Sequence, residues 1–199
     1  MGISASQVKE LREKTGAGVM ECKKALAEVD GDVTKAIDIL RKKGIAAAQK
    51  RLGKTSSEGG IEAYIHPGNR LGVLVEVSCE TDFAAKTKEF RNFVKDIAMQ
   101  VAAANPIVVT REQLDKNIVD KELEIYRSQA RELKKPEHIV EKIALGKLEK
   151  FYQEVCLIEQ QFVKDPAKSI KDILLELIGK VGENISIKRF TRYRLGGDT

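Results

Sequence analysis

The sequence predicts an α+β fold, and three observations carry that reading. Three short stretches in the first forty residues repeat apolar side chains at helical spacing. Two alternating stretches then flank Pro67-Gly68-Asn69-Arg70, the pattern of a β-hairpin. Finally, a long helical stripe is interrupted once, at Lys134-Lys135-Pro136-Glu137, the pattern of two antiparallel helices. The expected architecture is a small N-terminal three-helix domain followed by a core with a small antiparallel β-sheet, packing helices and a projecting α-hairpin.

The first helix opens on Ser4-Ala5-Ser6-Gln7, a capping box, and sets Val8 and Leu11 on one face. Thr15-Gly16-Ala17-Gly18 ends it. The second places Met20, Ala25, Leu26 and Val29 along a stripe, and Asp30-Gly31-Asp32 breaks the chain before a third helix carrying Val33, Ala36, Ile37 and Leu40. Residues 45–50 extend a helix by a turn or two. Gly53-Lys54-Thr55-Ser56-Ser57-Glu58-Gly59-Gly60 is polar and rich in Gly and Ser, the composition of a linker. The expected domains are therefore residues 1–54 and residues 55–199, with the α-hairpin at about 111–155.

After the linker, residues 61–66 alternate, and residues 71–77 are β-branched and aliphatic enough for a buried strand. Ser78-Cys79-Glu80-Thr81-Asp82-Phe83-Ala84-Ala85-Lys86 joins that strand to a helix that is under way by about Glu89, with Phe90, Phe93, Val94, Ile97 and Val101 at spacings of three and four. A carboxylate and a large aromatic thus sit side by side on a strand-to-helix turn. Two readings stand: Thr81 or Asp82 caps the helix while Phe83 enters the core, or the pair faces outward as a contact surface.

The helix stops at Asn105-Pro106. Thr110-Arg111-Glu112-Gln113 is a second capping box, expected to open a long helix through Val119, Leu123, Tyr126, Ala130 and Leu133. Val140, Ala144, Leu148, Phe151 and Val155 continue beyond the interruption. Ser169-Ile170-Lys171-Asp172 opens a last helix through Leu174, Leu177 and Ile178, and residues 184–195 alternate as a strand. Four cations and two aromatics in that strand suit a nucleic-acid surface or an edge strand that carries charge against aggregation.

Composition limits the function. With 199 residues and 42% hydrophobic content the chain suits one or two domains. No apolar run approaches the ~20 residues that span a bilayer, the N-terminus reads as the start of a folded element, and the match of Gly2 and Ser6 to a myristoylation pattern is too short to weigh. A cytoplasmic location is expected, without a membrane. Cys22, Cys79 and Cys156 form no C-x-x-C pair, which argues against a disulfide framework and a zinc site, and His66 and His138 lack partners at triad spacing. No phosphate-binding G-x-x-x-x-G-K-[ST] occurs. The net charge is +5, and residues 1–54 hold twelve Lys and Arg against seven Asp and Glu, so the whole excess lies there. Arg41-Lys42-Lys43, Lys50-Arg51 and Lys54 suit an acidic protein or phosphate backbone, or equally a solvated helix end with cations near its C-terminal dipole.

Residues 8–26, Val8-Lys9-Glu10-Leu11-Arg12-Glu13-Lys14-Thr15-Gly16-Ala17-Gly18-Val19-Met20-Glu21-Cys22-Lys23-Lys24-Ala25-Leu26, resemble the translation elongation factor Ts family, as do Thr81-Asp82-Phe83 after a Val-rich strand, residues 97–103, and Gly182-Glu183-Asn184-Ile185. The chain is similar to the compact members with one core subdomain, and Ala84 stands where the family often has Val. The resemblance implies an N-terminal domain of the ubiquitin-associated type, without implying ubiquitin binding. It implies guanine nucleotide exchange on elongation factor Tu, a GTPase, by a protein that is not itself an enzyme and needs no cofactor, metal or bound nucleotide. Asp82 and Phe83, flanked by Thr81 and Ala84, would push between helices of the GTPase domain and disturb its Mg²⁺ site, while Arg12, Val19 and Met20 would grip the same domain. It also implies a homodimer. The competing classes are a basic nucleic-acid-binding protein and a hydrolase using Cys79 or Cys156, the latter without a base or an oxyanion motif.

Overall fold

Ser4 starts the first helix as its residue type predicts, and the computed structural model describes residues 3–134 and 136–197 of the chain. Gly2 of the myristoylation pattern and Lys135 of the helix interruption lie outside the described residues. The Ser4 hydroxyl accepts from the Gln7 amide at 3.2 Å, and the Gln7 side chain accepts from the Ser4 amide at 3.0 Å, opening α1 (Ala5–Thr15). Gly16, at φ 70°, closes it by donating its N–H to the Arg12 carbonyl. α2 (Val19–Glu28) follows, then a tight turn with Asp30 at φ 52° and Gly31 at φ 87°. Asp32 caps α3 (Val33–Gln49) by accepting from the Lys35 amide at 3.0 Å.

Leu11, Cys22, Ala25, Leu26 and Ala36 form the core of this bundle, ringed by Val8, Val29, Ile37 and Leu40. Met20 does not join them; it is 65% exposed. At about 100° per residue, Met20 lies some 120° or more around the helix from Ala25 and Leu26, whereas Cys22 falls at their spacing. The expected short extension after the third helix is the same helix: α3 runs unbroken through Gly44 for 17 residues.

β1 (Glu58–Ile65) and β2 (Leu71–Cys79) form the expected hairpin, with His66 donating its amide to the Leu71 carbonyl at 2.9 Å and Gly68 and Asn69 at positive φ. Glu58, Gly59 and Gly60 belong to the strand and not to a linker. The linker region is held as well: the Asn184 side chain donates to the Lys54 carbonyl at 2.6 Å, and the Ser56 and Ser78 hydroxyls are 2.9 Å apart. β2 is not buried on both faces throughout. Val73, Val75 and Val77 point inward and Leu74 outward, and only from Val77 to Cys79 are successive residues buried. β5 (Ile185–Arg194) pairs with β2, giving the order β1-β2-β5 and placing the basic strand at an edge.

A short helix, α4 (Asp82–Lys86), precedes α5 (Lys88–Ala104), which buries Phe90, Phe93, Val94, Ile97 and Val101. Asn105 at φ 49° ends it. The second capping box forms, with Gln113 accepting from the Thr110 amide, yet it opens only a 3-10 turn at Arg111–Gln113. Asp115 caps the long helix instead, accepting from the Asn117 amide at 2.8 Å at the start of α6 (Lys116–Glu132). α7 (Glu137–Val155) packs against α6 along Ala130, Val140, Ala144 and Leu148, braced by Arg127–Glu141 and Arg131–Glu137 at 2.8 Å each. Leu133 stays exposed. A second, two-stranded sheet of β3 (Gln161–Phe162) and β4 (Asp165–Ser169) precedes α8 (Ile170–Val181). Strands this short carry too little alternation to be read in advance. The buried Gln100 holds this region by donating to Gln160 and to the Gln161 carbonyl and accepting from the Val163 amide.

By internal contacts the chain divides into two units. One comprises the described residues up to Gly60 with Ser78–Phe93 and Asp172–Ser186; the other comprises Ile61–Val77, Val94–Lys171 and the described residues from Ile187 on.

Candidate functional site

Thr81, two residues past the end of β2, is extended and caps α4, its hydroxyl accepting from the Ala84 amide at 3.3 Å. Ala84 faces inward and is buried, and its carbonyl accepts from the Thr87 hydroxyl at 2.7 Å. One helical turn with its inner residue and both ends fixed must send the residue before Ala84 elsewhere. Phe83 is 78% exposed, which removes the reading in which its ring enters the core. Asp82 is ion-paired with Lys86 at 2.5 Å, and the Lys86 ammonium lies 5.9 Å from the centre of the Phe83 ring. The hydrogen bond from Lys86 holds the Asp82 carboxyl below the usual carboxylate range, so the turn presents an ionised carboxylate beside an uncovered aromatic.

Two glutamates that sequence reasoning left without a role support the turn. Glu183 accepts from the Thr81 amide at 3.0 Å and from the Thr81 hydroxyl at 2.6 Å. Glu80 accepts from the Asn184 amide at 2.6 Å, and Arg51 stands 3.6 Å from the same carboxylate. These partners are 102 and 104 residues apart in sequence, so no local spacing announces them.

Of the N-terminal residues singled out from the sequence, Val19 and Met20 are both exposed on the first turn of α2, and Arg12 is exposed in the last turn of α1. They and the Thr81–Ala84 turn belong to the same unit but to different elements. Half of the basic cluster is engaged within the chain: Arg41 with Glu176 at 2.9 Å, Lys43 with Glu28 at 2.5 Å, and Arg51 with Glu80. On β5, Arg189 pairs with Glu76 at 2.7 Å and Arg192 donates to the Ala102 carbonyl. Cations held by carboxylates and carbonyls are a poor track for a phosphate backbone.

The three thiols are buried. Burial pushes the Cys79 thiol up, with the charge of Glu183 adding to it, and burial pushes Cys156 up to about 11. A protonated, enclosed thiol is a weak nucleophile. Among the described residues no group of three or more His, Cys, Asp or Glu is placed to hold a metal ion.

The sequence model of the family Elongation factor TS matches residues 21–197. Elongation factor Ts of Caldanaerobacter subterraneus subsp. tengcongensis is 58% identical over 194 residues, 98% of this chain and 97% of that protein. Elongation factor Ts of Anaeromyxobacter dehalogenans is 59% identical over 194 residues, 98% of this chain and 89% of that protein. With a family model spanning most of its length and relatives aligned nearly end to end, the chain belongs to the elongation factor Ts family.

Proposed function

We propose that the chain promotes guanine nucleotide exchange on elongation factor Tu, and that Asp82 and Phe83, presented with Thr81 and Ala84, are the residues that oppose bound GDP by disturbing the Mg²⁺ site of the partner. The observation that carries this reading is the exposure of Phe83 on a turn capped and anchored from both ends. An uncovered aromatic at a fixed position is the residue type that anchors protein interfaces. Arg12, Val19 and Met20 supply the grip, with Val19 and Met20 adding exposed apolar surface.

The energetics follow from linkage. A factor that binds the nucleotide-free GTPase more tightly than the GDP-bound form weakens GDP binding by the factor by which GDP weakens its own. Each tenfold gain in release takes about 1.4 kcal/mol off the dissociation barrier. Burying a Phe side chain contributes roughly 1.5–3 kcal/mol, so Phe83 alone can account for an effect of about tenfold to a hundredfold. The chain itself makes and breaks no covalent bond in this scheme, and needs no nucleotide, metal or cofactor of its own.

Two finer readings accompany it. No helix among the described residues is long and apolar enough to cross a membrane, and we place the chain with its partner in the cytoplasm. We also infer a homodimer. The face of the sheet that carries Leu74 also carries Ile61 and Ile65, since a Cβ on Gly72 would lie 3.0 Å from the Ile65 side chain, and it includes Arg189, paired with Glu76, and Tyr193. All of these apolar side chains are exposed, and a contiguous apolar sheet face favours a second copy.

Mixing the chain with factor Tu loaded with fluorescent GDP tests the main reading. Release at least about tenfold faster than in buffer, persisting at moderate salt, is expected. Release equal to that in buffer, together with nucleic-acid binding that weakens steeply with salt, would contradict it.

A further inference from the structure

An element that forces open a partner works only if its mount is stiffer than the site it enters. α4 has five residues, about one turn, too few to be stable alone, and the exposed Phe83 ring has no core packing to fix its direction. Its position is therefore inherited from Thr81 and Ala84. Thr81 in turn is held by Glu183, which takes both its amide and its hydroxyl.

The arrangement is reciprocal. Glu80, from the loop before α4, accepts the amide of Asn184; Glu183, from the loop before β5, accepts the amide of Thr81. Each loop's carboxylate takes an amide of the other loop, and charge-assisted bonds of this kind are stronger than neutral ones. Gly182, at φ 78°, lets the second loop turn back to meet the first. The same clamp also reaches the segment after α3, through Arg51 to Glu80 and through the Asn184 side chain to the Lys54 carbonyl.

We propose that Glu183 and Glu80 are positioning residues for nucleotide exchange: a reciprocal glutamate clamp that fixes the Asp82–Phe83 turn to the base of the N-terminal helices, so that gripping the partner is converted into displacement at its nucleotide site. The inference rests on the exchange reading above. Without Glu183 the turn retains Ala84 as its inner anchor but loses the two bonds that aim it. The N-terminal helices still dock, and the aromatic gives way instead of the partner.

The test uses the full chain with factor Tu carrying fluorescent GDP, comparing Glu183→Ala and Glu183→Gln with the unaltered protein. Three quantities are read: affinity for factor Tu, the maximal rate of stimulated GDP release, and amide hydrogen exchange over residues 82–86. For Glu183→Ala we expect affinity within about twofold, release about tenfold slower, and exchange at 82–86 about tenfold faster. Glu183→Gln keeps one acceptor for the Thr81 amide and recovers most of the release rate. A far-UV spectrum checks that each variant is folded, and Glu80→Ala, which removes the acceptor of the Asn184 amide on the opposite loop, gives the same split if Glu183→Ala fails to fold. Affinity and release falling together, or neither changing while exchange stays slow, overturns the clamp and leaves the exchange function standing. No stimulation by the unaltered chain overturns both.

Discussion

A Cβ placed on Gly179 would lie 3.0 Å from the carbonyl oxygen of Gly44, so α8 and α3 meet backbone to backbone within the first unit. Gly44 itself has open space where its Cβ would stand. Gly179→Ala should therefore destabilise the protein by about 1–3 kcal/mol, because backbone cannot retreat as a flexible side chain can. Gly44→Ala, in the interior of a helix, should leave stability unchanged or raise it by about 0.5–1 kcal/mol. Thermal melts of the two variants check the contrast; equal effects would mean that the helices do not approach this closely.

Removal of residues 1–54 tests the proposed domain boundary. We expect residues 55–199 to keep their far-UV signal but to melt earlier than the full chain, since the buried Asn184 side chain loses its acceptor at the Lys54 carbonyl. An unpaired buried amide costs about 1–3 kcal/mol. A random-coil spectrum would place the boundary elsewhere.

The thiols give a prediction with a defined sign in pH. Cys156, held up at about 11, keeps its proton in the folded state while an unfolded thiol loses its own near 9. Below about pH 8 both states are protonated and there is no effect; from about 9 to 11 the unfolded state binds fewer protons, so stability falls as pH rises. In the same way, alkylation of the native protein at pH 7–8 should be slow and should become fast only in denaturant. Rapid modification of Cys79 or Cys156 in the native protein would contradict the burial and reopen a nucleophilic role.

The inferred dimer is checked by Leu74→Lys and Ile65→Lys. Both side chains are exposed in the protomer, so the melting temperature of the isolated protomer should change by little. Light scattering at micromolar concentration should move from a dimeric to a monomeric mass. A monomeric mass for the unaltered chain would remove the dimer.

Much of this was legible in the sequence wherever the signal is local. Ser4 with Gln7, Gly16, Asp32, the turn at residues 67–70 and the break before α7 each act within a few residues, and each element they bound is present. Where a local signal had two outcomes the sequence misled: the box at Thr110 is real, but Asp115 captures the helix start. Met20 reads as part of the second helix's apolar stripe but lies outside the core, and β3 and β4 are too short for periodicity to register. At the candidate site, Thr81 as cap was readable, but the choice between an inward and an outward Phe83 was not. That choice depends on Ala84 packing inward and on Glu183, a residue 102 positions from the Thr81 it holds.

In the proposed function, Phe83 is presented outward to displace groups at the partner's nucleotide site. The most direct test of this role is the rate of GDP release from factor Tu stimulated by Phe83→Ala, read beside the variant's melting temperature and its affinity for factor Tu. Because the ring is 78% exposed, truncation should leave the melting temperature within a degree or two of the unaltered chain, where a core Phe→Ala costs about 3–5 kcal/mol. Stimulated release should fall at least about tenfold while docking through the N-terminal helices persists, and Asp82→Ala should follow the same direction. A melting temperature lowered as by a core substitution, or release that stays at the level of the unaltered chain, would contradict the account.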